Sequence, residues 1–309
     1  MLSFFHAILT EMSAEIAVSR PSADLPEAPH ASSDSQLLEI WLHGRSRHTQ
    51  RAYRADVERF QLAAGKALRA ITLPDLQQFA DSVSALAPAS RYRTLSAIKS
   101  LLAFGHRIGY LPFDVGRALR LPAVRNRLAE RILPEADLHR ILSLETNSRN
   151  RAILTLLYAS GVRVSELCGL CWRDLQPNKD GGQITVFGKG GVTRAIQVPA
   201  SVWKLINGTR DANAGPSDPV FRSRKRTNGS VLRPLAVLRI VRQSARRAGI
   251  EIAVSPHWFR HAHASHALDR GAPIHLVQAT LGHASITTTG RYLNLHARPN
   301  DSSSRFLPL

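Results

Sequence analysis

From about Gln36 onward the apolar residues of this chain recur every three to four positions, with one short exception. In GGQITVFGKGGVTRAIQVPA, Ile184 and Val186, then Ile196 and Val198, alternate with single residues on either side of a glycine-containing turn. Period two marks a half-buried strand, and two such runs about a Gly-rich turn predict a β-hairpin with Lys189 at its turn. One hairpin among helices restricts the chain to a mainly α fold with a small β-hairpin or sheet. Its 309 residues suit two domains, each able to bury a core without disulfides.

Charge divides the chain the same way. Residues 1–35 hold five acids against Arg20 alone, and their Pro/Ser/Ala-rich end has little to bury, so they read as a flexible acidic arm. Residues 36–122 carry 13 Lys/Arg against 6 Asp/Glu, a net of +7, and read as a helical domain. Residues 123–309 carry 27 against 12, a net of +15, and form the second, mixed domain, with a short tail after 295. The linker falls near 121–129, where prolines and arginines replace periodicity. An overall charge of +18 points to a polyanionic partner, nucleic acid foremost.

In the first domain Thr49 is a candidate N-cap of a helix whose Tyr53, Val57 and Phe60 share one face. Arg47, Thr49, Arg51 and Arg54 near that helix start, with Arg91, Arg93 and Lys99 on a later helix, are the candidate DNA-binding residues. The alternative for each is a solvated basic face. A second helix starts at Thr72 with Pro74 in its first turn. In the second domain, helices are expected near 134–145, 148–160, 232–248, 256–269, 273–281 and 286–294. Cys168 and Cys171 form a CxxC in LCGLCW, but no second ligand pair exists, and the string reads as an apolar packing helix. No apolar run approaches a bilayer-spanning length, and the opening residues lack the basic n-region of a secretory signal, so an intracellular setting is expected.

Four strings in the second domain carry chemistry. SGVRVSEL places Arg163 before a helix start with Ser165 as a possible N-cap. GKGGVTR places Lys189 in the hairpin turn. HWFRHAHASH puts His257 and Arg260 on one helical face, where both reach a single anion. His261, four residues after His257, invites a zinc reading, but the intervening Glu of HExxH and a third ligand are missing. LGHASITTTGRY brings His283 and Tyr292. Alone, each has an ordinary reading as a helix-end arginine, an exposed lysine or a packed tyrosine. Together they supply what metal-free phosphodiester transfer requires: guanidiniums for the non-bridging oxygens, a lysine or histidine to protonate the leaving oxygen, and a hydroxyl nucleophile.

In these strings, and in their order, the second domain resembles the catalytic domain of the tyrosine recombinases, or phage-type integrases, including the Xer-type enzymes. The similarity runs over roughly residues 40–295. The helical first domain resembles the family's SAM-like core-binding domain by pattern and position. The resemblance implies a catalytic set of Arg163, Lys189, His257, Arg260, His283 and Tyr292, and two domains clamped around double-stranded DNA. It further implies cleavage through a 3′-phosphotyrosyl link without metal, ATP or other cofactor, and a homo- or hetero-tetramer on paired sites. A cytoplasmic, nucleoid-associated location follows, with no membrane partner. A type IB topoisomerase, a non-catalytic DNA-binding regulator and a metal-dependent nuclease are the alternatives. The chain departs from the family in Ser160-Gly161, where Thr-Gly is usual, and in the 17 residues after Tyr292, too few for a long helix.

Overall fold

The computed structural model describes residues 30–123, 128–188, 193–223, 231–283 and 285–292. They divide into two compact units, one ending at Arg125 and the other beginning at Asn126.

The first unit is helical: α1 (Asp34–Leu42), α2 (Arg47–Ala64), α3 (Leu73–Ser82) and α4 (Pro88–Arg107). Ser46, not Thr49, caps α2: its hydroxyl accepts the Thr49 amide at 3.2 Å, which makes Thr49 the third helical residue. Both are good capping types, and Ser46 wins because the helix starts one turn earlier than the apolar repeat shows. Helix α3 begins at Thr72 as its sequence predicts; the Thr72 amide donates to Asp75 Oδ2 at 2.7 Å, and Pro74 sits in the first turn. Val57 and Phe60 of α2, Leu76 and Phe79 of α3, and Leu95, Ile98 and Leu102 of α4 form the core, with Phe60 and Phe79 edge to face at 4.9 Å. Each such burial is worth about 1.5–3 kcal/mol. One buried polar cluster crosses this core: Asp56 of α2 accepts from Thr94 Oγ1 at 2.9 Å and pairs with Arg93.

The second unit contains α5 (Glu135–Ser143), α6 (Ser148–Ser160), α7 (Val164–Gly169), strands β1 (Leu175–Asn178), β2 (Gly181–Phe187) and β3 (Thr193–Pro199), then α8 (Ala200–Asn207), α9 (Pro234–Arg247), α10 (Pro256–Asp269), α11 (Ile274–Leu281) and α12 (Ile286–Gly290). Helix α6 is its axis: Ala152, Ile153, Leu154, Leu156 and Leu157 are all buried, as a helix apolar all round must be. The hairpin is present as β2 and β3, Ile184 facing Ile196 in antiparallel register, and Ile184, Val186, Ile196 and Val198 point into the core. A third strand, β1, joins β2 at the edge. Its LQPN has no alternation and contains Pro177, which an edge position tolerates.

Two local expectations in this unit are corrected. The N-cap of α7 is Arg163, not Ser165, which lies exposed inside the helix. LCGLCW is not one helix: α7 stops at Gly169 and the chain turns extended, with the Leu170 carbonyl accepting the Val220 amide at 2.9 Å. Backbone pairing with the 216–220 segment outcompetes helix continuation there. Cys168 is nonetheless buried, and burial raises its thiol to about 11, so it packs as an inert apolar side chain. A small satellite core gathers Ala264 and Leu268 of α10, Val277 and Leu281 of α11, and the ring of Tyr292. Among the described residues no helix is long and apolar enough to cross a membrane.

Candidate active site

The site is built on the C-terminal turn of α11. The last carbonyls of any helix lack intrahelical partners and carry the negative end of its dipole. Here three consecutive ones take three different arginines. Thr280 O accepts Arg194 Nε at 2.7 Å, Leu281 O accepts Arg260 Nη2 at 2.6 Å, and Gly282 O accepts Arg163 Nη2 at 3.2 Å. Gly282 ends the helix in the left-handed region, φ 64°, and a Cβ on it would lie 3.0 Å from Arg194 Nη1. Arg260 also donates through Nη1 to Gly161 O at 2.6 Å; Gly161 is the left-handed end of α6, φ 58°. Two glycine turns thus hold the buried Arg260 from both sides.

Glu166 of α7 ties two of these arginines together. Its carboxylate accepts the Arg163 amide at 2.8 Å and Arg163 Nη1 at 2.9 Å, and takes Arg194 in a two-point contact at 3.0 and 2.8 Å. Burial alone would raise this carboxyl; the bonds from Arg194 and Arg163 outweigh it and hold it at about 2. The side chains of Glu166 and Arg194 are 4% and 10% exposed, whereas Arg163 keeps 34% of its surface open. Arg163 is therefore the most accessible of the three, and Glu166 and Arg194 hold it from beneath. Burial lowers Arg260 to about 10, with repulsion from Arg163 adding to the shift. Among the described residues Arg163 and Arg260 each donate through Nη1 and Nη2, part of the five N–H donors of a guanidinium.

The histidine-rich string splits by helical face. His263 Nδ1 lies 2.8 Å from Tyr158 O and His266 Nδ1 3.1 Å from Tyr158 Oη, both turned toward α6. His257, Arg260 and His261 fall on the site side. His257 is exposed; partial desolvation and the charges of Arg260 and Arg163 push its pKa down. His283 follows Gly282, and its Nδ1 lies 2.9 Å from Thr289 Oγ1, the buried hydroxyl of α12. Desolvation first, then Arg260, Arg163 and Arg194, lower it to about 4. Tyr292 follows α12, 6% exposed, its Oη 2.7 Å from His261 Nδ1. Burial raises the phenol, and Arg260 and Arg291 pull it partway back. Among the described residues no group of three or more His, Cys, Asp or Glu could hold a metal ion; His261 bonds the tyrosine instead.

Of the six residues singled out in sequence, the structure brings Arg163, His257, Arg260, His283 and Tyr292 around one helix end, and Lys189 lies outside the described residues. Glu166, Arg194, His261 and Thr289 were missed as parts of the site. The signal for Glu166 was present, since a Glu three residues after a helix-capping position is a capping-box partner; Arg194 stood in the quoted GKGGVTR string with nothing local to single it out.

The candidate DNA contacts of the first unit divide in two. Arg47 and Arg51 are exposed near the start of α2, and Thr49 is half-buried in its capping turn. The others hold the unit together: Arg54 pairs with Glu39, Arg93 with Asp56, Arg91 donates to Ala80 O at 3.0 Å, and Lys99 to Leu119 O at 2.8 Å.

Residues 131–298 match the model of the phage integrase family, and residues 38–108 match that of the phage integrase N-terminal SAM-like domain. The tyrosine recombinase XerC of Xanthomonas campestris pv. campestris (strain B100) is 35% identical over 261 residues, covering 81% of this chain and 79% of its own length. A lambda integrase dimer bound to a COC′ core site superposes with a TM-score of 0.70 at 19% identity, covering 87% of this chain and 96% of the other. A lambda integrase tetramer bound to a Holliday junction gives a TM-score of 0.65 at 18% identity, covering 92% and 88%. These two structures share the fold.

Proposed function

The chain belongs to the phage integrase family, the tyrosine recombinases, and from that premise we propose that it cuts and rejoins double-stranded DNA at a specific site, with Tyr292 as nucleophile. The carrying observation is the convergence of the Arg163 and Arg260 guanidiniums, the His257 and His283 imidazoles and the Tyr292 phenol around the end of α11. Arg163 and Arg260 bind the non-bridging oxygens of the scissile phosphate and stabilise the charge that builds as the phosphorane forms. Tyr292 Oη bonds to phosphorus, the bond from phosphorus to the 5′ oxygen breaks, and Lys189 gives that oxygen its proton. His257 and His283 assist in proton transfer or orient the phosphate. The product is a 3′-phosphotyrosyl link and a free 5′-hydroxyl. Because the link keeps the energy of the broken ester, rejoining needs neither ATP nor a metal.

Four protomers act on two paired sites, cutting in two successive pairs; a lambda integrase tetramer bound to a Holliday junction supports this reading. The charge of +18 supports the DNA partner independently, since each phosphate neutralised releases counterions.

The test incubates the protein and its Tyr292→Phe variant with fragmented source DNA in EDTA, denatures with SDS, and sequences the DNA that stays attached. Enrichment of one short, roughly palindromic site by the unaltered protein alone is the expected result. Covalent adduct in the Phe variant refutes Tyr292, and absence of adduct from both proteins while both bind DNA favours a DNA-binding regulator or a missing partner recombinase.

A further inference from the structure

We propose that His261 is a further catalytic residue, the base that receives the Tyr292 proton as the phenol oxygen attacks the phosphate. The inference rests on Tyr292 being the nucleophile and concerns where the nucleophile's proton goes.

Geometry carries it. His261 Nδ1 lies 2.7 Å from Tyr292 Oη, the rings tilted with centroids 5.8 Å apart. His283 Nδ1 is matched to the Thr289 hydroxyl and His263 and His266 face Tyr158, whereas His257, exposed one turn before His261 on the same helical face, is the competing imidazole. A phenol both donates and accepts; with the ring hydrogen on Nε2, His261 Nδ1 accepts from the phenol and is the atom placed to take its proton, which requires a neutral ring. The surroundings enforce that state. Burial removes water from the ring, and His257 and Arg260 of α10, Arg131 of the 129–131 turn and His283 after α11 all oppose a positive charge on it, lowering it to about 4.

A neutral imidazole this weak does not deprotonate a resting phenol whose own pKa is raised. It does so in concert with attack. As Tyr292 Oη bonds to phosphorus, the oxygen loses its basicity and its proton passes to His261 Nδ1. The positive charge then forms beside the phosphorane, whose negative charge offsets the repulsion from Arg260 and Arg131. In rejoining, the 5′-hydroxyl attacks phosphorus, the bond from phosphorus to Tyr292 breaks, and the departing oxygen takes the proton back from His261. A resting hydrogen bond also fixes the direction in which the Oη lone pairs point, while the ring is clamped in the satellite core.

Two variants separate the base from a mere hydrogen-bond partner. In His261→Asn, Oδ1 stands near the place of Nδ1 and accepts from the phenol but cannot take its proton; in His261→Ala both roles are lost. The readout is the initial rate of SDS-stable adduct on the same fragmented source DNA, from pH 6 to 9, with DNA retention measured alongside. Both variants are expected to fall by roughly 10²- to 10⁴-fold at pH 7, the range for a lost general base. Their rates should climb with pH where that of the unaltered protein is level, with retention unchanged. An Asn variant at the unaltered rate overturns the proposal in favour of positioning, and a faster Ala variant overturns it in favour of a restraining latch. No adduct from the unaltered protein refutes the nucleophile and the base together. Independently of DNA, the ¹³Cζ signal of Tyr292, assigned by its loss in Tyr292→Phe, should move in His261→Ala; an unmoved signal overturns the contact itself.

Discussion

Replacing Glu166 by Gln tests the arginine scaffold with almost no change of shape. The wild-type carboxylate receives four N–H bonds from Arg163 and Arg194 while itself buried. A Gln keeps one acceptor oxygen and turns an NH₂ group toward a guanidinium. The drop of the Glu166 pKa from 4.5 to about 2 corresponds to about 3 kcal/mol of folded-state preference for the carboxylate. Because the folded value lies below the unfolded one, that stability is complete above about pH 4.5 and fades as pH falls toward about 2. Glu166→Gln should therefore be less stable by about 3 kcal/mol at pH 7, and more if a guanidinium is left facing the amide. At pH 2.5 the gap should shrink to below about 1 kcal/mol, since protonated Glu and Gln have the same shape and charge. Urea unfolding followed by tryptophan fluorescence reads it, with Trp172, Trp203 and Trp258 in the second unit and Trp41 in the first. A gap equal at both pH values would refute the claim that the carboxylate charge holds the two arginines.

Other outcomes follow from single contacts. Arg260→Lys keeps a cation but cannot reach the Gly161 and Leu281 carbonyls from one planar group, so adduct formation should drop by roughly 10²-fold with DNA binding within a few-fold, measured in single turnover. Gly282→Ala imposes a left-handed alanine and a methyl 3.0 Å from Arg194; a loss of about 1–2 kcal/mol, or roughly 3–6 °C in the melting temperature, should appear by calorimetry. Arg47→Gln with Arg51→Gln should lower the slope of log binding constant against log salt by about 2, one per lost phosphate contact. Arg93→Gln should instead destabilise the first unit by stranding buried Asp56, with the salt slope unchanged, as titration and urea unfolding would show.

The helices and hairpin were legible because their signals are local. Residues 256–269 and 148–160 were readable as helices from the apolar repeat, and the Ile184/Val186 and Ile196/Val198 alternation marked both strands. Strand β1 was not, since an edge strand exposed after Leu175 has nothing to alternate against. Capping went astray at Thr49 and Ser165 where several small polar residues compete within one turn and only tertiary geometry chooses. The site shows the same division. Arg163, His257, Arg260, His283 and Tyr292 were visible as types in order, whereas Arg194 finds Glu166 28 residues away and His261 finds Tyr292 31 away. No periodicity reports a contact of that range. The basic rim of the first unit shows the same division: a surplus of arginines does not say which ones an internal carboxylate or carbonyl engages, as Asp56 engages Arg93.

The LGH string illustrates how far side-chain chemistry alone takes a reading. Its histidine draws attention as a titratable group, yet the two residues before it do the heavier structural task through their backbones. A helix must end where its last carbonyls are to face a cluster of cations, and a left-handed residue is what ends it while leaving those carbonyls open. Leucine at 281 fills the satellite core, so the turn cannot drift, and glycine at 282 leaves room for Arg194. The three arginines need fixed acceptors because flexible ones would let like charges separate and lose the pre-set geometry that transition-state stabilisation depends on. Backbone carbonyls serve better here than further carboxylates, which would neutralise the pocket and repel a phosphate. Among the described residues at this helix end Glu166 supplies the negative charge, and it is buried beneath Arg163. A pocket held mainly by neutral carbonyls keeps its net positive charge for the ligand while its guanidiniums stay ordered before the ligand arrives.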